Sequence, residues 1–266
     1  MICQQYNDVK RLANNKPVDN MKKIFTLLCC MVFAAQYSMV SAQNTTMKIW
    51  KGGIVTTTYD VTDVDSVTFG DGVYLINGHK FIDLGLPSGL LWAETNIGAK
   101  TAADDGNYYA WGETSTKSEY IGKTYFDSNH TIYSINGKTT LEKQHDAAYV
   151  NWGDSCRMPT NDELGELLNS KNCTWKWTSM NTSDGSSISG YKITSVKNGN
   201  SIFLPASGFR SEGNLFDHGS IGNYWSSTLD SSNSSFAYLF YFYSSFHNRA
   251  HDYRCFGHTV RAVAEP

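Results

Sequence analysis

The chain has 266 residues, with 22 basic against 25 acidic side chains and a net charge of −3, and it carries no basic stripe. That balance speaks against nucleic acid and anionic membrane surfaces as partners. Aromatic residues make up 14% of the chain and Gly, Ser and Asn are abundant, a mixture suited to short strands, many turns and long surface loops.

Residues 1–20 are polar and aperiodic, and Met21 offers a second start. From there the sequence has the parts of a secretory signal peptide over residues 21–42. Lys22 and Lys23 supply the positive region, Ile24–Ala35 the apolar run, and Val40-Ser41-Ala42 the small residues before cleavage at Gln43. The run is shorter than the ~20 apolar residues that span a bilayer. Cys29 and Cys30 raise the rival of a lipoprotein signal, but Leu28 before Cys29 is too bulky for that processing. The expectation is export to the cell surface or beyond, with no membrane span in the mature chain. Residues 1–42 hold five basic and two acidic side chains, so the mature chain keeps 17 and 23 and a net charge of −6.

Residues 43–72 read as a short β-rich appendage. Met47–Trp50 and Ile54–Tyr59 flank Gly52-Gly53, a hairpin signal, and Asp65–Phe69 suits a further strand. The main domain is expected over 73–266. His79–Leu84 and Leu90–Thr95 read as strands around the turn Pro87-Ser88-Gly89. Residues 98–145 read as loop, with Tyr108–Trp111 as a short strand inside it. Asp146–Val150 suits a short helix. Thr160 and Glu163 fit a capping box ahead of the stripe Leu164, Leu167 and Leu168, which predicts a second helix. Asp162 and Glu163 read as helix-start acids rather than a catalytic pair. Strands are then expected over Trp175–Thr178, Tyr191–Val196, Ser201–Pro205, Asn223–Thr228, Phe236–Tyr243 and His258–Ala264. Phe236–Tyr243 is apolar on both faces, which places it centrally in its sheet. The predicted class is α+β: loop-rich, mostly antiparallel sheets with one or two helices.

After signal removal three cysteines remain, Cys156, Cys173 and Cys255, in a compartment that permits disulfides. The odd number leaves at least one unpaired. His247, His251, Cys255 and His258 have the spacing H-x3-H-x3-C-x2-H, which resembles a zinc set. The reading nonetheless favours an ordinary polar loop, because histidines four apart are read as sharing a face only on a helix and Arg249 and Arg254 repel a cation. No cofactor is expected. Glu94 and Glu113 form an acid pair only if the fold brings them together. Trp50, Trp111, Tyr120, Tyr125 and Tyr133 lie in or near loop-rich segments. They are the candidate ligand-binding side chains, suited to stacking on sugar rings or anchoring a protein.

Several blocks occur in a characteristic order. They are Phe81–Ala93, Tyr108-Tyr-Ala-Trp-Gly-Glu113, Cys156–Leu164, Cys173–Thr178, Gly199–Gly208, Gly222–Thr228 and Thr259–Val263. Over residues 74–264 the chain resembles the Fibrobacter succinogenes major paralogous (FISUMP) domain of bacterial surface and secreted proteins. The resemblance implies a C-type-lectin-like fold, distantly similar to the formylglycine-generating enzymes, with Lys80–Leu84 near Thr259–Val263. The cysteine pair of those enzymes and the calcium-ligand motifs of sugar-binding C-type lectins are not matched in this sequence. Members usually carry Trp where this chain has Cys156 and no cysteine where it has Cys255. These two departures suggest a Cys156–Cys255 disulfide, with Cys156–Cys173 as the alternative. The expected function is a secreted or surface-exposed, non-enzymatic binding module for an extracellular glycan or protein. An enzyme of the formylglycine-generating type and a structural surface subunit are the alternatives.

Overall fold

A computed structural model describes residues 46–51, 54–60 and 72–266. The leader expected over 21–42, residues 1–20 and the strand expected at Asp65–Phe69 lie outside the described residues. The described residues belong to two compact units, divided ahead of residue 72. In the first unit, β1 (Thr46–Lys51) and β2 (Ile54–Asp60) form the antiparallel hairpin expected there, with a register slip between Ile49 and Trp50. The Trp50 side chain is outside what is described.

The second unit is built from antiparallel sheets and, among the described residues, two α-helices. A five-stranded sheet has the order β3 (Val73–Ile76), β4 (His79–Asp83), β5 (Leu91–Ala93), β15 (Val263–Ala264), β6 (Cys156–Arg157). β3 and β4 are joined by Asn77-Gly78, both at positive φ (49° and 81°), the requirement of a two-residue hairpin turn that Asn-Gly meets at least cost. The last strand enters between β5 and β6. It does not pair with β4, whose two edges are taken by β3 and β5. Ahead of β15 the expected strand from His258 breaks into single bridges, His258 to Tyr109 and Thr259 to Tyr224. There Arg261 is buried. Its guanidinium donates to the carbonyls of Ala93, Glu94 and Phe203 and to Asn96 Oδ1, and burial lowers its pKa to about 10.

α1 (Ala147–Trp152) starts at Asp146, whose buried carboxylate accepts from the amides of Ala148 and Tyr149 and, across to β6, of Met158. α2 (Asn161–Leu168) starts at Thr160 with the complete capping box: Glu163 N donates to Thr160 Oγ1 (3.3 Å), and Thr160 N donates to Glu163 Oε2 (2.8 Å). Arg157 adds a two-pronged ion pair to Glu163 (both 2.7 Å). Leu164 and Leu167 are buried, as their spacing predicts.

The remaining strands make three sheets. β7 (Cys173–Asn181), β8 (Ser187–Ser195) and β9 (Ser201–Pro205) form one meander. β10 (Phe209–Ser211) and β11 (Asn214–Phe216) form a hairpin closed by Glu212-Gly213, again with both φ positive. β12 (Ile221–Leu229), β13 (Phe236–Tyr243) and β14 (Phe246–Tyr253) form the third, with β13 central as predicted. Two large clusters bury the apolar faces. One holds Trp111, Trp225, Leu239 and Val260, and the other Trp92, Leu167, Tyr224 and Phe240.

Candidate binding cleft

In β13 the even-numbered side chains Phe240 and Phe242 pack into the core against Trp175 and Tyr191. Gly222 opposite permits this, because a Cβ there would collide with the Phe242 ring. The odd-numbered side chains face the other way. Ala237 and Leu239 are buried at one end, while Tyr241 is half-buried and Tyr243 exposed at the other. Cross-strand pairing puts Ile221 and Asn223 of β12, and Phe246 and Ala250 of β14, on that same face. The result is an open cleft of about 340 Å³ floored by Ile221, Asn223, Leu239, Tyr241 and Ala250.

Phe209 from β10 makes one wall, stacked on Phe216 (5.4 Å between centroids). Asp217 stands at the rim at φ 55°, a left-handed conformation that Asp tolerates, and its carbonyl accepts from the amides of Ser220 and Ile221. Gly208 lets this turn close, since a Cβ there would strike the Phe216 carbonyl. Asp252 stands on the β14 side, held by the Tyr253 amide (2.7 Å) and by Nε2 of the buried His258 (3.1 Å). Beyond the cleft Tyr241, Tyr243 and Phe246 continue as a ring platform, with Tyr243 and Phe246 stacked at 5.4 Å. Burial, then the neighbouring Tyr243 and the charge of Asp217, raises the Tyr241 pKa, so the phenol keeps its proton and can donate.

A second cleft of about 340 Å³ lies between residues 98–105, the β7–β8 turn and His218. Its acids are largely engaged, although the buried Oδ1 of Asp105 has no hydrogen-bond partner. Asp104 accepts from the amides of Thr101 and Ser183, Asp105 meets His218 at 2.8 Å, and Asp184 is held by Thr182 and Ser186, which pull its pKa down to about 2. It presents no ring other than His218 and reads as scaffolding of a turn.

The four loop aromatics expected to bind ligand are corrected. Trp111, Tyr120, Tyr125 and Tyr133 are all buried, between 0% and 4% exposed. Their polar tips are occupied too. Trp111 donates to the Ser226 carbonyl, Tyr120 to that of Tyr108 and Tyr125 to that of Trp111, while the Tyr133 hydroxyl bonds His145 Nδ1 (2.6 Å). For three of them the cause is Arg254, whose side chain sits with no exposure over the rings of Trp111, Tyr125 and Tyr133 at 4.9–5.9 Å, while Tyr120 packs with Tyr108, Ala110 and Tyr125. The Arg254 guanidinium pairs with the equally buried Asp127 at 2.5 Å and bonds the carbonyls of Tyr133 and Ser234. Burial alone raises the Asp127 pKa. Bonds from the Ile132, Tyr133 and Thr131 amides and from Arg254 outweigh this and hold it below the usual carboxylate range. The expected strand Tyr108–Trp111 is likewise no strand: Tyr109 bridges His258, and the Trp111 amide donates to Arg254 O.

The disulfide expected between Cys156 and Cys255 is not formed, nor is Cys156–Cys173. All three thiols are free because each sits in a different apolar cluster. Burial pushes the Cys156 and Cys173 thiols up to about 11. The zinc-like set does not converge, and no group of three metal-ligating side chains does so among the described residues. His247 and His251 lie four apart on strand β14, not in a loop. Both therefore face one side without a helix, yet stand ~13 Å apart along it. His247 stacks on Trp175 (4.4 Å), His251 pairs with Asp230 (2.5 Å), and His258 bonds Asp252. Glu94 and Glu113 are separately paired with Lys80 and Lys117. Asp162 is a surface partner of Arg249.

Comparison with protein-family models, curated proteins and solved structures found no significant match.

The sequence reading does not reach Asn223, Asp217, Tyr241, Tyr243, Phe246 or Asp252. The usable signal is the alternation Phe240-Tyr241-Phe242-Tyr243, in which the phenols mark the wetter face.

Proposed function

We propose that this is a secreted or cell-surface binding module of the FISUMP, C-type-lectin-like kind, and that it holds an extracellular glycan in the β12–β13–β14 cleft. One observation carries the reading: planar rings and hydrogen-bonding groups share a single open concave face. Tyr241 and Phe209 offer ring faces to the apolar side of a sugar, and Asn223, Asp217 and Asp252 accept from its hydroxyls. The platform Tyr243–Phe246 extends the site for a further sugar unit. Three antiparallel sheets meeting over one helix-backed core, with the sequence blocks in order, support the family reading. The buried thiols favour binding over a formylglycine-generating chemistry. Their raised pKa values run opposite to those of an activated thiolate.

The test is a glycan array probed with the purified chain and with Tyr241→Ser. The reading expects a defined set of glycans retained by the parent and lost by the variant. Glycans retained equally by both would move the site elsewhere, and an empty array would turn the reading toward a protein partner or a structural subunit.

A further inference from the structure

The chemistry of this cleft selects among saccharides. Its carboxylates and the Asn223 carboxamide oxygen are acceptors, and the Tyr241 hydroxyl adds a donor. Asp217 and Asp252 are carboxylates, and neither Lys nor Arg is among the lining residues. The nearby cations are committed elsewhere: Arg249 to Asp162 on the opposite face of the sheet, and Arg210 over the Tyr108 ring. His251 borders the cleft, but its Nδ1 lies 2.5 Å from Asp230 Oδ2 and its ring is stacked on Phe236. Asp217 makes no side-chain hydrogen bond or ion pair with any described residue, so its charge is uncompensated by the protein.

Asn223 is a second, independent observation. It is 4% exposed, and its Nδ2 donates to the Gly208 carbonyl at 3.4 Å. That bond orients the carboxamide and leaves Oδ1 without a donor among the described residues. Asn223 lines the cleft, so this free acceptor is completed there by solvent or by a ligand. Two ring faces, Phe209 and Tyr241, complete the surroundings.

We infer that the cleft takes a cationic sugar, a saccharide bearing a protonated primary amine. This rests on the glycan reading above. An ammonium brings three N–H donors and no acceptor, the complement of Asp217, Asp252 and Asn223 Oδ1. It is also attracted to aromatic faces. An acidic sugar meets two carboxylates and no cation there.

The experiment is titration calorimetry of the full chain with three tetrasaccharides: D-glucosamine, its fully N-acetylated form, and glucose. The amine form binds about tenfold more tightly than the other two, and added salt reduces the difference. Asp217→Asn removes most of the advantage, lowering the affinity for the amine form more than that for the N-acetylated form. Asp217 has no side-chain partner, so this variant keeps the fold. Asp252→Asn gives the same result, read beside thermal unfolding because of its bond to His258. Equal or weaker binding of the amine form overturns the inference, as does an advantage that survives both substitutions. If all three bind alike and Tyr241→Ser abolishes them, the cleft stands and the cationic preference falls. If none binds, both fall.

Discussion

The loop over residues 98–145 and the sheet face of β12–β14 are both rich in aromatics, yet they use them in opposite ways. In the loop, Trp111, Tyr125 and Tyr133 turn inward and surround Arg254, so a segment without strands is anchored by buried rings, Trp111 and Tyr133 within the large cluster of Trp225 and Leu239. In the sheet, backbone pairing already satisfies the polar groups, and β13 can send Phe240 and Phe242 inward while Tyr241 and Tyr243 look out. An aromatic side chain in a long loop is therefore under stronger pressure to be structural than one on a strand. Loops need side-chain hydroxyls and indoles to cap buried carbonyls, and strands do not.

Replacing Arg254 with Met breaks this contrast most severely. It leaves Asp127 buried without its partner and should destabilise by about 3–5 kcal/mol in denaturant unfolding at neutral pH. The sign with pH follows from the depressed Asp127 pKa. The pair's contribution is present above the unfolded carboxylate value of about 4 and is lost as pH falls through the lower folded value. The deficit of Arg254→Met should therefore shrink in acid. A deficit that is constant with pH would mean that Asp127 is not the carboxylate left behind.

A milder change, Tyr125→Phe, removes the hydroxyl that donates to Trp111 O (2.6 Å) and accepts from Arg254 Nε (2.9 Å). It should cost about 2 kcal/mol and leave glycan binding intact. Loss of binding without loss of stability would return the loop to the functional surface. Thr160→Ala lies outside both regions and calibrates them. Loss of the cap should cost about 1 kcal/mol. Thiol titration is the smallest perturbation. In the folded state Cys255, half-buried, should react first, with Cys156 and Cys173 protected until unfolding. Fewer than three free thiols among Cys156, Cys173 and Cys255 after unfolding without reductant would restore a disulfide.

Much of the architecture was legible where periodicity or caps spoke for themselves. Thr160-x-x-Glu163 marked α2, and the long apolar run marked β13 as central. Asn77-Gly78 was an available signal for the β3–β4 hairpin. The hairpin at Glu212-Gly213 was not, since Glu rarely takes positive φ. β14 was hidden because Phe246–Tyr253 is an edge strand with only Phe246, Ala250 and Tyr253 to break its polar run, too few for a clean alternation, and its two-residue connection Ser244-Ser245 has no Gly or Asn. The β12–β14 cleft was illegible for a different reason. Which aromatics face water depends on Arg254 finding Asp127 across 127 residues of chain, and no local pattern encodes that.

Hydroxyl-radical footprinting read by mass spectrometry tests this division of aromatics most directly. Tyr243 and Phe246 should be oxidised readily in the free protein, and they and Tyr241 should be protected when a bound glycan is present. Trp111, Tyr120, Tyr125 and Tyr133 should stay unmodified in both states. Oxidation of those four in the folded protein, with protection by ligand, would contradict the account and put recognition back on the loop.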